Sequence, residues 1–326
     1  MHFLRNTSTD PHFNMAFDEF CLGKLQADEP VFYLWQNRPS VIIGLNQNPY
    51  AEVNLPFLEA SGIVLARRVT GGGAVYHDLE NLNYTITGRI RDLEQDYPAY
   101  LETMLRALRD LGVPAERSGR NDLLVEGRKC SGYAKRVYKD RLMIHGTLMY
   151  DVDIDTLTKA LAVPGSKLSA AGVASVRSRV ANLKDWLPQC TDIQAFQTAL
   201  QEILASGDRE VFLTPDQLEE IEADAAAKFR TWEWNFGRSP SAAFRVSRQF
   251  PCGTVEAGFS LVHGCLDGVR FSGDFLGNLP AHRIEQALQD CRFTPEAIRA
   301  ALRKEPVEQC FDRLSADELA ALLTDA

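Results

Sequence analysis

The chain reads as α+β, with a large domain built on a mixed, mostly antiparallel sheet and a smaller α+β unit behind it. Three observations predict this. Short β-rich runs follow one another across brief turns. Amphipathic helical runs fall among them without strict βαβ alternation. The pattern then breaks near Ser239-Pro240 and begins again with three strands. A length of 326 residues with 45% hydrophobic content suits one large domain and one small one. We expect the first at 1–240 and the second at 245–326, with a linker between about Gly237 and Phe244.

Asp10-Pro11 is a turn signal, and Met15, Phe17, Leu22 and Leu25 predict a helix over Asn14–Gln26. Val31–Gln36 and Ser40–Leu45 are strands split by Asn37-Arg38-Pro39. Val64–Arg68 and Ala74–His77 are strands flanking a glycine run, and Asn83–Gly88 is another. Ala99–Leu111 has helical periodicity, closed by Gly112 and Pro114. Asp122–Val125, Lys129–Val137 and Arg141–Tyr150 form a strand series. Asp153–Leu161, Ile193–Leu204 and Pro215–Phe229 are helices, the first with an acidic opening turn. In the second unit, strands at Ala243–Phe250, Gly253–Leu261 and Leu266–Ser272 precede helices from about Leu279, Pro295 and Ala316.

The net charge of −9 argues against a general nucleic-acid binder, which needs an overall basic domain. No apolar run approaches the length that spans a bilayer, and the first residues carry no signal-peptide pattern, so no membrane partner is expected. The 7 cysteines show no C-x-x-C pair and no accompanying histidine cluster. Reduced thiols in the cytoplasm fit better than disulfides or structural zinc.

The run Arg67-Arg68-Val69-Thr70-Gly71-Gly72-Gly73-Ala74-Val75-Tyr76-His77-Asp78 is the most informative segment. Three consecutive glycines cost more backbone entropy than any other triplet. They serve where backbone must come close to a ligand and turn successive N–H groups toward an anion. Two arginines just upstream supply planar forks for phosphate or carboxylate. The spacing is neither that of a Walker loop nor that of a dinucleotide fingerprint. A bare triplet of glycines is more often a plain turn, but its neighbours here make that reading the weaker one.

This run resembles the signature of the lipoate ligase family, relatives of biotin ligases and octanoyltransferases. The resemblance implies the biotin/lipoate ligase type of catalytic fold. It also implies that Arg68, Gly71, Gly72, Gly73, Ala74, Val75 and Tyr76 hold ATP or an acyl adenylate. A second cluster runs from Gly119 through Asn121-Asp122 to Arg128-Lys129-Cys130-Ser131-Gly132-Tyr133. A lone strand lysine is usually a solvated edge residue. Here it follows a turn and precedes Ser131-Gly132, where backbone closely approaches something. The family carries an Asn-Asp pair and a Lys-x-Ser-Gly run at this place. Lys129 then corresponds to the catalytic lysine, touching both nucleotide and lipoate, with Asn121 and Asp122 at the nucleotide.

The chemistry so implied joins two anions, a carboxylate and the α-phosphate of ATP. A fixed ammonium between them removes the repulsion and stabilises charge in the transition state. Mg²⁺ is expected with ATP, with Asp122 as its protein ligand. Ile144-His145-Gly146-Thr147-Leu148 is similar to another family run, and His145 is a candidate for the lipoate tunnel or for a structural bond in the core. Lys167-Leu168, Gly172-Val173 and Ser175–Leu183 resemble a further block, whose Arg177 and Arg179 are candidates for closing the site. Trp232–Pro240 resembles the segment that ends the catalytic domain.

Lipoate asks for an apolar tunnel with a polar end. Phe32, Leu34, Val41, Ile43 and Val75 could line one, or be ordinary core. The implied acceptors are apo lipoyl domains of E2 subunits or the glycine cleavage H protein, met by a monomer. Arg128, Lys129, Lys135, Arg136, Lys139 and Arg141 form a local positive run that would complement an acidic acceptor. Two alternatives stay open. One is an octanoyl or lipoyl transferase passing its acyl group through a cysteine thioester, with Cys130 or Cys190 as nucleophile. The other is a lipoate-binding protein without turnover.

Overall fold

The computed structural model describes residues 1–119, 121–161, 178–205, 210–239, 242–273, 275, 279 and 281–324. The described residues divide into two compact units. The first takes Met1–Leu45 and most of Phe57–Thr231; the second takes Asn46–Pro56 and Trp232 onward.

In the first unit the strands are β1 (His2–Leu4), β2 (Val31–Trp35), β3 (Ser40–Ile43), β4 (Val64–Arg67), β5 (Val75–His77), β6 (Asn81–Arg89), β7 (Ala115–Ser118), β8 (Asp122–Val125), β9 (Arg128–Tyr138), β10 (Arg141–Met149) and β11 (Glu210–Val211). Eight of them form one sheet in the order β11-β1-β2-β6-β10-β9-β8-β7. Only β11-β1 and β1-β2 pair in parallel; from β2 to β7 every pairing is antiparallel. A small second sheet, β4-β3-β5, holds the strands on either side of the glycine run.

Helices α1 (Pro11–Gly23), α2 (Leu93–Asp110), α3 (Ile154–Ala160), α4 (Ile193–Leu204) and α5 (Pro215–Asp224) complete the unit. Strand alternation sends Phe32, Leu34, Tyr84, Ile86 and Ile144 to one face of the large sheet. There they meet Leu101, Leu105 and Leu108 of α2 and Phe196 and Leu200 of α4. Cutting Phe196 back to alanine would cost roughly 3–5 kcal/mol at such a site. Helix α1 touches β4, β6 and β10, and so borders both sheets.

The second unit has one antiparallel sheet, β12 (Ala242–Phe250), β13 (Gly253–Val262) and β14 (Cys265–Gly273). Helices α6 (His282–Leu288), α7 (Pro295–Leu302) and α8 (Ala316–Thr324) close its core around Val255, Leu261, Ile284, Ile298 and Leu319. The α+β expectation therefore holds for both units.

Several boundaries differ from the sequence reading for identifiable reasons. Asp10-Pro11 opens α1 instead of preceding it: the Asp10 carboxylate caps His12 N–H at 2.9 Å and Pro11 takes the first helical position, where no N–H is needed. Helix α2 starts six residues before Ala99, because Asp92 caps it and Pro98 is carried inside it. The segment expected as one helix over Pro215–Phe229 changes to a wider π turn at Ala225–Phe229. Strands β1, β7 and β11 and the short helices Pro49–Glu52 and Leu55–Ala60 were not foreseen; each spans two to six residues, too few for a periodicity to register.

Candidate active site

The site lies against the face of the large sheet opposite α2 and α4. Across four strands, register places Trp35 opposite Asn83, and Asn83 opposite Thr147. Gly132 continues the row, its N–H meeting Thr147 Oγ1 at 3.2 Å. One step along, Tyr33, Thr85, His145 and Ala134 make a second row. Directly paired residues face the same side; the first row with His145 and Ala134 of the second is the floor of one cavity, while Tyr33 and Thr85 are buried against Asp18 of α1. Ile42, Val75 and His77 of the small sheet, Met15 of α1, and the glycine run supply further lining.

A β-bulge aims Lys129 into this cavity. The β8–β9 register shifts between Leu123 and Leu124, which leaves Cys130 as the extra residue. Strict alternation from Gly132 would turn Lys129 toward the core. The extra residue restores it to the cavity side and sends Cys130 into the core cluster. The Lys129 backbone is then clamped by Arg179 O at 2.8 Å and by Ala181 N–H at 2.9 Å. Its ammonium meets Asp122 Oδ1 at 2.8 Å, with the two side chains 40% and 35% exposed. A Cβ on Gly132 would sit 3.1 Å from Lys129 Nζ and 3.2 Å from its Cε, so glycine makes room for that side chain.

The glycine run is organised from behind. Arg68 is buried and donates through Nη1 to Ile42 O (3.0 Å), and through Nη2 to Gly71 O (2.7 Å) and Gly73 O (2.8 Å). With the loop carbonyls drawn back onto the guanidinium, loop N–H groups are released toward a ligand. Burial lowers the Arg68 pKa to about 10, which still leaves it cationic at neutral pH. Gly72 has φ +95°, a region L side chains rarely enter. Gly44 allows the loop to close: a Cβ there would lie 2.1 Å from Gly72 O.

A buried hydrogen-bond chain joins this loop to α1. Arg68 Nε–H donates to Thr70 Oγ1 (3.0 Å), Thr70 Oγ1 meets His145 Nε2 (2.7 Å), and His145 Nδ1–H donates to Asp18 Oδ2 (2.6 Å). Asp18 Oδ1 also accepts from Tyr33 (2.6 Å) and Thr85 (3.0 Å). Burial, with Asp18 beside it, pushes the Tyr33 phenol well above its ordinary range. His77 is buried among Arg68 and His145, and desolvation with those neighbours lowers it to about 3.

Of the residues singled out from sequence, Arg68, Gly72, Gly73, Ala74, Val75, Asn121, Lys129 and His145 all line the cavity. Asp122 stands behind Lys129. Gly71 and Tyr76 are not among the lining residues; Tyr76 pairs with Val41, one step out of phase with Val75 and His77. Phe32 and Leu34 belong to the opposite face of the sheet, and Ile42 lines the cavity where Val41 and Ile43 were considered. Arg141 is buried, with Nη2 donating to Cys21 O, so it is not part of any exposed positive face. Lys167 and Arg177 lie outside the described residues. The sequence reading missed Asp18, Trp35, Gly44, Asn83 and Thr147; their register and distances reveal them, not any local motif.

Among the described residues no three His, Cys, Asp or Glu side chains cluster as a metal site. Cys130 is buried, its thiol pushed up to about 12, and Cys190 is raised by burial as well. Neither is a poised nucleophile.

Two family models match the chain. The lipoyl protein ligase A/B catalytic domain matches residues 10–205, and the bacterial lipoate protein ligase C-terminus matches 239–323. Lipoate–protein ligase 1 of Staphylococcus aureus is 38% identical over 328 residues, covering 99% of this chain and 100% of that protein. A bipartite lipoate protein ligase of Thermoplasma acidophilum, described with its E2 lipoyl domain, aligns at TM-score 0.66 and 30% identity, covering 73% of this chain and 97% of that one. A lipoate–protein ligase A solved with ATP bound aligns at TM-score 0.62 and 29% identity, covering 72% and 97%.

Proposed function

The chain belongs to the lipoate–protein ligase family, and from that premise we propose that it activates lipoate with ATP and transfers the lipoyl group to a lysine of an acceptor protein. The observation that carries this is the convergence on one cavity of Lys129, held by Asp122, with a glycine loop whose carbonyls are drawn back by Arg68.

In the first half-reaction a lipoate carboxylate oxygen attacks the α-phosphorus of ATP. A P–O bond forms as the bond to pyrophosphate breaks. Lys129 sits between the two anions and offsets their repulsion. The loop N–H groups, with Asn121 at the nucleotide, hold the phosphates in line. In the second half-reaction the acceptor amine attacks the acyl carbon, loses its proton, and AMP departs. Lys129 stabilises charge on the carbonyl oxygen and the leaving group. No enzyme acyl intermediate is required, which agrees with the buried, high-pKa thiols of Cys130 and Cys190. Mg²⁺ bound with the nucleotide would neutralise phosphate charge; Asp122, beside Lys129, is the carboxylate suited to it, with phosphates supplying the other ligands.

We assign catalysis to residues 1–240 and an accessory role to 245–326. The acceptors are E2 lipoyl domains or the glycine cleavage H protein; the basic run of β9 does not make one face for them, because Lys135 Nζ lies over the Tyr97 ring at 3.7 Å while Arg136 Nη1 donates to Val69 O at 2.6 Å on the other side of the sheet. The protein acts as a monomer in the cytoplasm, the compartment that free cysteines suit. The test is incubation of the full chain with ATP, Mg²⁺, lipoate and an apo lipoyl domain, with the acceptor mass measured. A lipoyl mass increment dependent on ATP is expected; binding of lipoate without pyrophosphate release would instead support the non-catalytic alternative.

A further inference from the structure

Two buried N–H groups of cavity residues have nothing to donate to. His77 is 3% exposed and Asn83 1%, and both line the cavity. His77 Nε2 and Asn83 Nδ2 are each shut off from solvent without a hydrogen-bond partner. As placed, Asn83 Oδ1 accepts from Asn81 Nδ2 at 3.0 Å, leaving Asn83 Nδ2 and Asn81 Oδ1 both without a partner. Buried donors without partners are uncommon and call for an occupant.

A chain of amides fixes which His77 nitrogen carries the proton. Asn14 Nδ2 donates to the carbonyls of Ser8 (3.0 Å) and Gln36 (2.9 Å), so that end of Asn14 is the amino group. The same Nδ2 meets Asn37 Oδ1 at 2.8 Å. Asn37 therefore turns its own Nδ2 to His77 Nδ1, at 3.0 Å. Nδ1 accepts, and in the neutral ring that burial enforces the proton sits on Nε2.

The position of these donors is set by the cavity floor. Lys129 lies over Gly132 at one end of the row Gly132-Thr147-Asn83-Trp35. His77 packs edge-on against Trp35 at the other end, ring centroids 6.2 Å apart. Three strand spacings separate the ends, about 14 Å. An acid whose carboxylate is held at Lys129 thus brings its tail toward Trp35, Asn83 and His77.

We infer that His77 Nε2–H and Asn83 Nδ2–H form a specificity element that meets the ring sulfurs at the far end of lipoate and disfavours a plain saturated acid of the same carbon count. The inference rests on the ligase reading above. Sulfur accepts a hydrogen bond weakly, whereas a methyl group accepts none. A hydrocarbon tail leaves both donors as bare as they are in the free protein, so the preference for lipoate comes from the bond its sulfur adds. Weak acceptance sets the scale at about tenfold, well below the discrimination a hydroxyl partner brings.

The test compares kcat/KM for lipoate and octanoate by ATP-dependent pyrophosphate release, using the full chain and its His77→Phe, His77→Gln and Asn83→Leu variants. The wild type is expected to favour lipoate. His77→Phe and Asn83→Leu should lower that ratio about tenfold, whatever they do to the absolute rates, while His77→Gln, which keeps a donor, retains most of it. A wild-type ratio near one, or a ratio unchanged in folded His77→Phe and Asn83→Leu, overturns the inference and leaves the ligase reading intact. If His77→Phe fails to fold, Asn83→Leu decides alone. Pyrophosphate release with neither acid overturns the ligase reading instead, and calorimetric binding of the two acids then decides the specificity question.

Discussion

Acidification should reveal His77 as a folding liability whose size follows from its burial. The ring has a pKa of about 3 in the folded chain, against an ordinary value of 6.5. Below pH 6.5 the unfolded chain takes up a proton that the folded ring refuses. Stability is therefore full above about 6.5, falls as pH falls, and levels off once the folded ring protonates near 3. Each pH unit inside that window costs about 1.4 kcal/mol. At pH 4.5, two units below the unfolded value, His77 alone removes about 2.7 kcal/mol. Other groups titrate over the same range, so the assay is a difference. Urea unfolding is measured from pH 7.5 to 4.5 for the wild type and for His77→Gln, whose amide oxygen still accepts from Asn37. The variant's stability should decline more slowly with acid, the two curves converging by about 2–3 kcal/mol at pH 4.5 relative to pH 7.5. Parallel curves would refute a neutral, buried His77.

Gly44→Ala should displace the glycine loop, because the added methyl would sit 2.1 Å from Gly72 O; adenylation should collapse and unfolding stability drop by roughly 1–3 kcal/mol, measured by pyrophosphate release and urea titration. Asp18→Ala removes the acceptor shared by His145, Tyr33 and Thr85 inside the core, and should cost roughly 3–5 kcal/mol in the same titration. Cys130→Ala, which deletes a buried thiol bonded to Leu123 O, should retain acceptor modification within a fewfold; its loss, with the protein folded, would bring back the thioester route.

What could be read in the sequence was local. The triple glycine advertised itself because close backbone approach and positive φ are properties of the residue, and Gly72 at φ +95° bears that out. Ile193–Leu204 and Asp122–Val125 were bounded correctly because their patterns are clean and their ends well marked. Lys129 was picked out by its neighbours together with the resemblance to the family's Lys-x-Ser-Gly run, but the bulge at Cys130 that turns it into the cavity leaves no signature a single sequence reveals. Asp18 was invisible for a different reason. Its partner His145 is 127 residues away, and nothing near Asp18 distinguishes a network acid from an exposed helix carboxylate. Trp35, Asn83 and Thr147 share one row only after β2, β6 and β10 pair, so register, which sequence sets globally, decides their role. Arg68 was expected to reach for phosphate; as placed, its bonds hold the loop, a division of labour that only the guanidinium geometry reveals.

The account stands on Lys129 acting in chemistry while contributing little to folding. Its pair with Asp122 is about two-fifths exposed, and such pairs contribute roughly 0–1 kcal/mol to stability. Removing one donor aimed at developing charge costs on the order of 10²–10³ in rate. Lys129→Ala, incubated with ATP, Mg²⁺, lipoate and an apo lipoyl domain, should melt close to the wild type and yield an acceptor of unchanged mass. A lipoylated acceptor formed at the wild-type rate would contradict the account.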